Sequence, residues 1–157
     1  MTGRHLVEFY QVDLEVRGAS LEEVISLAED LVESVVKAVE EEHWRDLERM
    51  GRTPPPQFKR PPFKRYTHAE AVELANKLGC SNPRNTELRW ECEKTISAHH
   101  GSPPLAVYEY PKGSRGGFYD REDPGRPGYL RDFDLLYQRD SGGRPCPARR
   151  GSSSPPG

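Results

Sequence analysis

The chain has 157 residues, with an apolar share of 34%, a formal net charge of -2, 15 prolines and 14 glycines. That length supports one modest domain with a core, but so lean an apolar share implies that part of the chain does not fold. The charge gives no reason to expect a nucleic-acid surface, no apolar run reaches the length of a membrane span, and the N-terminus lacks a signal peptide's apolar core.

Residues 4–17 predict a loop running into a long strand. Side chains alternate across a strand, so Leu6, Tyr10, Val12, Leu14 and Val16 share one face, interrupted by Glu8. The other face carries Val7, Phe9, Gln11, Asp13, Glu15 and Arg17. This pattern fits both the floor of a polar pocket and a half-solvated antiparallel strand.

Ser20 and Glu23 make a capping box, followed by Val24, Ile25, Ala28, Leu31, Val32, Val35, Val36 and Val39 at helical spacing. A helix is expected from Leu21 to about Leu47, ending before Gly51. Its acidic face (Glu29, Asp30, Glu33, Glu40, Glu41, Glu42) reads as solvated. Residues 53–62 hold five prolines and read as a rigid connector. Thr67 and Glu70 repeat the capping box and open a helix through Leu78 that Gly79 stops, with Ala69, Val72 and Leu74 on its buried side. A second short helix is expected from about Thr86 to Ser97, with Leu88, Cys92 and Ile96 at spacing four. Residues 105–110 form a strand ended by Pro111; residues 118–120 and 129–137 are further strand candidates around a Gly/Pro-rich loop.

Adjacent His99 and His100 point to different sides and read as a solvated helix end rather than a metal site. Cys80, Cys92 and Cys146 are odd in number and far apart. They fit neither a disulfide framework nor a zinc spacing, which makes a reducing cytoplasm the expected compartment. Residues 138–157, rich in Arg, Gly, Ser and Pro, read as a disordered basic tail.

The string Arg4-His5-Leu6-Val7-Glu8-Phe9-Tyr10-Gln11-Val12-Asp13-Leu14-Glu15 resembles the second half of motif 2 in class II aminoacyl-tRNA synthetases of the aspartate, asparagine and lysine group. It resembles still more closely the archaeal asparagine synthetase, a free-standing relative of their catalytic domain. The likeness continues through residues 19–24, 63–67, Tyr110-Pro111, 118–122 and 133–135, in the family's order. It implies an α+β fold over residues 1–137: a partial class II synthetase-like antiparallel sheet flanked by helices, with the tail outside it.

An enzyme that activates a carboxylate with ATP must hold the adenine, the triphosphate with its magnesium, and the substrate carboxylate. Attack on the α-phosphorus calls for positioning and for neutralisation of developing negative charge. The resemblance implies Arg4, His5 and Leu6 as nucleotide-loop contacts, Phe9 as the adenine platform, and Glu8 facing the base or bracing the loop. Arg4 would offer a fork to phosphate oxygens. Tyr119 and Asp134 would border the amino-acid pocket, although a mid-strand aspartate needs a partner if buried, so a structural hydrogen bond suits Asp134 equally. Asp120, Arg121 and Glu122 fit the free-standing asparagine synthetase or a surface ion-pair cluster.

Relative to the family pattern, the sequence starts inside motif 2, lacks motifs 1 and 3, and offers no metal carboxylate: Gln138 is the nearest occupant of that place. Ser141-Gly142-Gly143-Arg144 matches the Ser-Gly-Gly-x-Arg-Glu segment only in part and comes too soon. Shifted by two bases, Arg144–Ser153 can spell Ala-Leu-Ser-Gly-x-Glu-Arg-Glu-Phe under permitted codon choices, so the tail is expected to be an out-of-frame translation without stable structure.

Three readings follow. The main one is a fragment of an ATP- and magnesium-dependent ligase that activates aspartate (or asparagine) as an aminoacyl-adenylate, with ammonia as acceptor. In the second, an aspartyl- or asparaginyl-tRNA synthetase passes the amino acid to tRNA. In the third, a non-catalytic remnant or binding module keeps the fold without the chemistry. No metal site and no membrane contact are expected. The family forms homodimers through motif 1, and a chain lacking it is expected to be inactive alone, with an unpaired sheet edge.

Overall fold

The computed structural model describes residues 8–49, 61–101, 104–116 and 121–137. The elements are α1 (Leu21–Glu42), α2 (Trp44–Arg49), β1 (Lys64–Thr67), α3 (His68–Lys77), α4 (Trp90–His99), β2 (Leu105–Tyr108), β3 (Glu122–Asp123), β4 (Arg126–Leu130) and β5 (Phe133–Leu136). Residues 53–60 of the 53–62 proline-rich connector, the 118–120 strand candidate and the 138–157 tail lie outside the described residues.

Both capping boxes form. The Ser20 hydroxyl oxygen accepts from the Glu23 backbone N–H while Glu23 takes the Ser20 N–H, and Thr67 with Glu70 does the same at α3. These reciprocal bonds satisfy orphan donors at each helix start. The long helix breaks at His43, so α2 stands separate. Its last turn carries Glu40, Glu41 and Glu42 and no basic residue, an unfavourable sign at the negative end of the helix dipole. α3 ends as expected, with Leu78 as C-cap and Gly79 in the left-handed region at φ 87°, a conformation that suits glycine. Ala69 is exposed; the buried face of α3 is His68, Ala71, Val72 and Ala75.

The main sheet has the order β1-β2-β5. β2 pairs antiparallel with β5, Val107 opposite Asp134, and β3 pairs antiparallel with β4. β1 joins parallel to β2, Arg65 opposite Ala106, because the chain between them crosses back through α3 and α4, as a parallel pair requires. The sheet is therefore mixed, with its antiparallel part as expected. The 129–137 candidate is two strands, β4 and β5, parted at Arg131 and Asp132. β4 also continues the chain beyond β2: the Leu130 N–H donates to the Tyr110 carbonyl at 2.8 Å and the Lys112 N–H to the Gly128 carbonyl at 2.9 Å.

Parity sorts the layers. Leu105 and Val107 bury against Ala71, Val72 and Ala75 of α3, Cys92 and Ile96 of α4, Leu88, Tyr110 and Leu130. Arg65, on the opposite parity, reaches α1. Its Nε and Nη2 donate to the two carboxylate oxygens of buried Glu29, each at 3.1 Å, and its Nη1 meets Glu22. Glu29 therefore departs from the solvated acidic face: burying it demands this bidentate partner.

Residues 8–16 form no strand. Phe9 is 69% and Tyr10 96% exposed, and no described strand pairs with this segment. An alternating pattern makes a stable strand only beside neighbours that complete its ladder. A side-chain bond there is local, Gln11 donating to Asp13 at 2.8 Å.

Candidate functional site

Among the described residues, a buried polar cluster lies where β2 ends and β5 begins. Glu109, just past β2, takes a left-handed backbone at φ 60° and pairs with Arg126 of β4. That bend turns Tyr110 inward, where it is fully buried. The Tyr110 hydroxyl donates to Asp134 Oδ2 at 2.8 Å. The Arg115 guanidinium lies 3.7 Å from the Tyr110 ring centre, bonds Asp134 through Nη2, and brings Nε to 3.3 Å from Asp132. Stacking on an aromatic face while forking to carboxylates is a guanidinium property that lysine lacks.

Electrostatics follow from burial and this pairing. Burial and then the Asp134 charge and hydrogen bond push the Tyr110 phenol far above its ordinary range, so it stays a donor. Burial works against the Arg115 charge, but the Asp134 hydrogen bond and charge, with Tyr110 and Asp132, outweigh it and raise the guanidinium further. Burial also raises the Asp132 carboxyl; Arg115 opposes this and Asp134 reinforces it. Two carboxylates thus share one arginine.

His68 backs the cluster, its ring centre 5.0 Å from that of Tyr110. Nε2 lies 2.8 Å from the Thr86 carbonyl oxygen. A carbonyl only accepts, so Nε2 carries the proton. Burial holds the His68 pKa below its ordinary value, partly offset by the Thr86 bond and aided by Arg115. Nδ1 is then the bare nitrogen, buried with no hydrogen-bond partner among the described residues.

Of the residues singled out from sequence, only Asp134 stands in this cluster, and its partners are protein groups. Glu8 and Phe9 are exposed and outside any strand; Arg4, His5, Leu6, Tyr119 and Asp120 lie outside the described residues. Glu122 makes a surface ion pair with Lys112 at 2.7 Å and accepts the Gly128 N–H at 2.7 Å. His100 is more than a solvated helix end: its Nε2 lies 2.6 Å from the Tyr66 hydroxyl, tying α4 to β1. Sequence reasoning missed Arg115, Asp132 and His68. Arg115 sits in a Gly/Ser loop with no periodic signal, and His68 reads simply as the residue after a cap.

Cys80 and Cys92 overturn the expectation of isolated cysteines, for they are disulfide-bonded with Cα atoms 5.4 Å apart. The hairpin of α3 and α4 closes a separation of 12 residues that linear spacing leaves apart.

Among the described residues, no group of three or more His, Cys, Asp or Glu is placed to hold a metal ion. The nearest carboxylates, Asp132 and Asp134, both face Arg115, so this donor set does not fit magnesium. No helix among the described residues is long and apolar enough to cross a membrane.

Residues 1–140 match the family model described as "tRNA synthetases class II (D, K and N)". The chain is 29% identical over 136 residues to an asparagine–tRNA ligase of Thermoplasma acidophilum, covering 86% of this chain and 31% of that protein. Its identity to the asparagine–tRNA ligase of Pelotomaculum thermopropionicum is 32% over 136 residues, covering 86% and 31%. The chain thus spans about a third of the length of these relatives. Among solved structures, asparaginyl-tRNA synthetase from Pyrococcus horikoshii complexed with asparaginyl-adenylate superposes with a TM-score of 0.69 at 27% identity, covering 76% of this chain and 27% of that one. Asparaginyl-tRNA synthetase from Entamoeba histolytica gives 0.63 at 28% identity, covering 76% and 28%. These relatives are tRNA ligases, so they favour the tRNA-charging alternative over the ammonia-dependent reading, for which the comparisons offer no support. With the family match running through the helices, the mixed sheet and the Tyr110–Arg115–Asp134 cluster, this chain belongs to the class II tRNA synthetases of the D, K and N group.

Proposed function

We propose that the chain is part of the catalytic domain of an asparaginyl-type class II tRNA synthetase, which activates its amino acid with ATP as an aminoacyl-adenylate and passes it to tRNA. The observation that carries this reading is the match over most of the chain to asparagine–tRNA ligases. Activation joins a substrate carboxylate oxygen to the α-phosphorus and expels pyrophosphate, so the protein must position both groups and offset negative charge.

In this reading Arg4, His5 and Leu6 contact the nucleotide, Glu8 braces that loop and Phe9 stacks on adenine. Tyr119 and Asp134 border the amino-acid pocket. Asp132 and Asp134 together outnumber Arg115 in formal charge, which suits the neighbourhood of an α-ammonium group. ATP and magnesium are the family's cofactors; the metal carboxylates belong to parts of the parent enzyme that this cluster does not supply. A homodimer and a tRNA partner belong to the same proposal.

The test is binding of non-hydrolysable asparaginyl- and aspartyl-adenylate analogues to the full chain by calorimetry, with Phe9→Ala beside it. The reading expects the asparaginyl analogue to bind at least about tenfold tighter, one factor of ten being about 1.4 kcal/mol. Phe9→Ala should weaken both through loss of stacking, by about 1–3 kcal/mol. Equal affinity for the two analogues would remove the asparaginyl assignment. Binding indifferent to Phe9 would remove the adenine platform.

A further inference from the structure

We propose that Cys80 and Cys92 are a reversible thiol–disulfide modification site whose closed form fixes the loop of residues 81–89. The inference is independent of the synthetase reading, because it rests on the α3–α4 hairpin alone. The two cysteines differ in access. Cys92 is fully buried on α4, whereas Cys80 is partly exposed just past α3, its N–H donating to the Ala75 carbonyl at 2.9 Å. Cys80 is therefore the sulfur that a soluble disulfide reaches first.

With glutathione disulfide as oxidant, the Cys80 thiolate attacks one of its sulfurs and releases one glutathione thiolate. The Cys92 thiolate then attacks the Cys80 sulfur of the mixed disulfide and releases the second. Two protein thiols are oxidised, one glutathione disulfide is reduced to two glutathiones, and the two thiol protons pass to them. In the disulfide-bonded structure Cys92 Sγ lies 3.5 Å from the Cys80 carbonyl oxygen and 3.9 Å from that of Ser81, so two acceptors flank the sulfur that gains a hydrogen on reduction.

What the bond adds can be read from the loop's other anchors. Buried Asn82 accepts the Arg89 N–H at 2.9 Å through Oδ1, and its own N–H donates to Asn76 Oδ1 at 2.8 Å. Thr86 offers its carbonyl to His68, which packs on Tyr110. Together with Leu88, buried in the core, and the Asn76 amide donating to the Asn82 carbonyl at 3.2 Å, these contacts hold a segment with no regular structure of its own between Ser81 and Arg89. Opening the disulfide leaves the segment to these anchors near its two ends, and its exposed middle, residues 83–87, is irregular backbone of the kind that opens locally first.

The experiment uses the full chain carrying Cys146→Ser, equilibrated in glutathione buffers that are fully oxidised or fully reduced. Thiols are counted by alkylation and mass, and amide exchange is followed by peptide. The expected result is no alkylated thiol in the oxidised buffer and two in the reduced one. Exchange across residues 82–89 should be at least about tenfold faster when reduced, while the β2 amides are unchanged. Cys80→Ser should exchange at the reduced rate in either buffer. Two free thiols in the oxidised buffer would overturn the proposal. So would equal loop exchange in the two states, or faster exchange throughout the protein on reduction.

Discussion

Removing the Arg115 guanidinium strands two carboxylates on largely enclosed positions. Arg115→Met is expected to destabilise the fold by about 3 kcal/mol, the range for breaking a buried pair from one side. Tyr110→Phe, which deletes only the hydroxyl donated to Asp134, should lose about 1 kcal/mol. Urea unfolding at neutral pH measures both, and a smaller loss for Arg115→Met than for Tyr110→Phe would contradict the cluster's charge logic. His68 sets a pH dependence of defined sign. Burial lowers its folded pKa, so the unfolded chain takes up its proton near pH 6.5 while the folded chain resists. Stability is full above that pH and falls as acid passes through the window beneath it. The urea midpoint should therefore drop between about pH 7.5 and pH 5.5, and His68→Gln should flatten that drop. Asp132, raised by burial, acts in the opposite sense at lower pH. At this scale the sequence spoke only in part. A mid-strand aspartate announced that it needs a partner, but the partners came from a Gly/Ser loop and a helix start that no short-range pattern connects to it.

Helix starts were the most legible elements, because a capping box is written in four consecutive residues and closed by bonds among them. Ser20→Ala and Thr67→Ala should each lose about 1 kcal/mol, measured as helical signal against urea; a Thr67→Ala variant as stable as the parent would show that packing alone sets the start of α3. Strands were harder. β1 is four residues, Lys-Arg-Tyr-Thr, with no apolar alternation, and exists because buried β2 lies alongside. Residues 8–16 have the alternation and no ladder partner among the described strands, so pattern without a neighbour produced no strand. α1 ends at Glu42 with three glutamates and no basic residue in its last turn, a charge pattern unfavourable at a helix C-terminus that apolar periodicity does not register. Glu29 was hidden in the acidic face because its partner, Arg65, is far along the chain. Arg65→Met should release α1, speeding tryptic cleavage after Lys37 while exchange in the β2–β5 ladder stays as it was; unchanged cleavage would mean that Ile25 alone seats the helix.

Among the described residues, α1 is seated through Arg65 and buried Ile25, and α3 with α4 through the apolar face of β2. The family's core was legible as an order of motifs, whereas the chemistry of the cluster needed coordinates, since Tyr110, Arg115 and Asp134 meet only once β5 lies beside β2. That geometry carries a consequence for biosynthesis. Proteins are made from the N-terminus, and segments fold as they emerge. β2 leaves the ribosome after β1 and before β5, so the parallel pair is available first, and one edge of the most buried strand waits bare for residues 133–136. During that interval the nascent chain presents unpaired backbone along Leu105–Tyr108, and the speed of translation through the 111–132 segment sets how long a chaperone has to shield it.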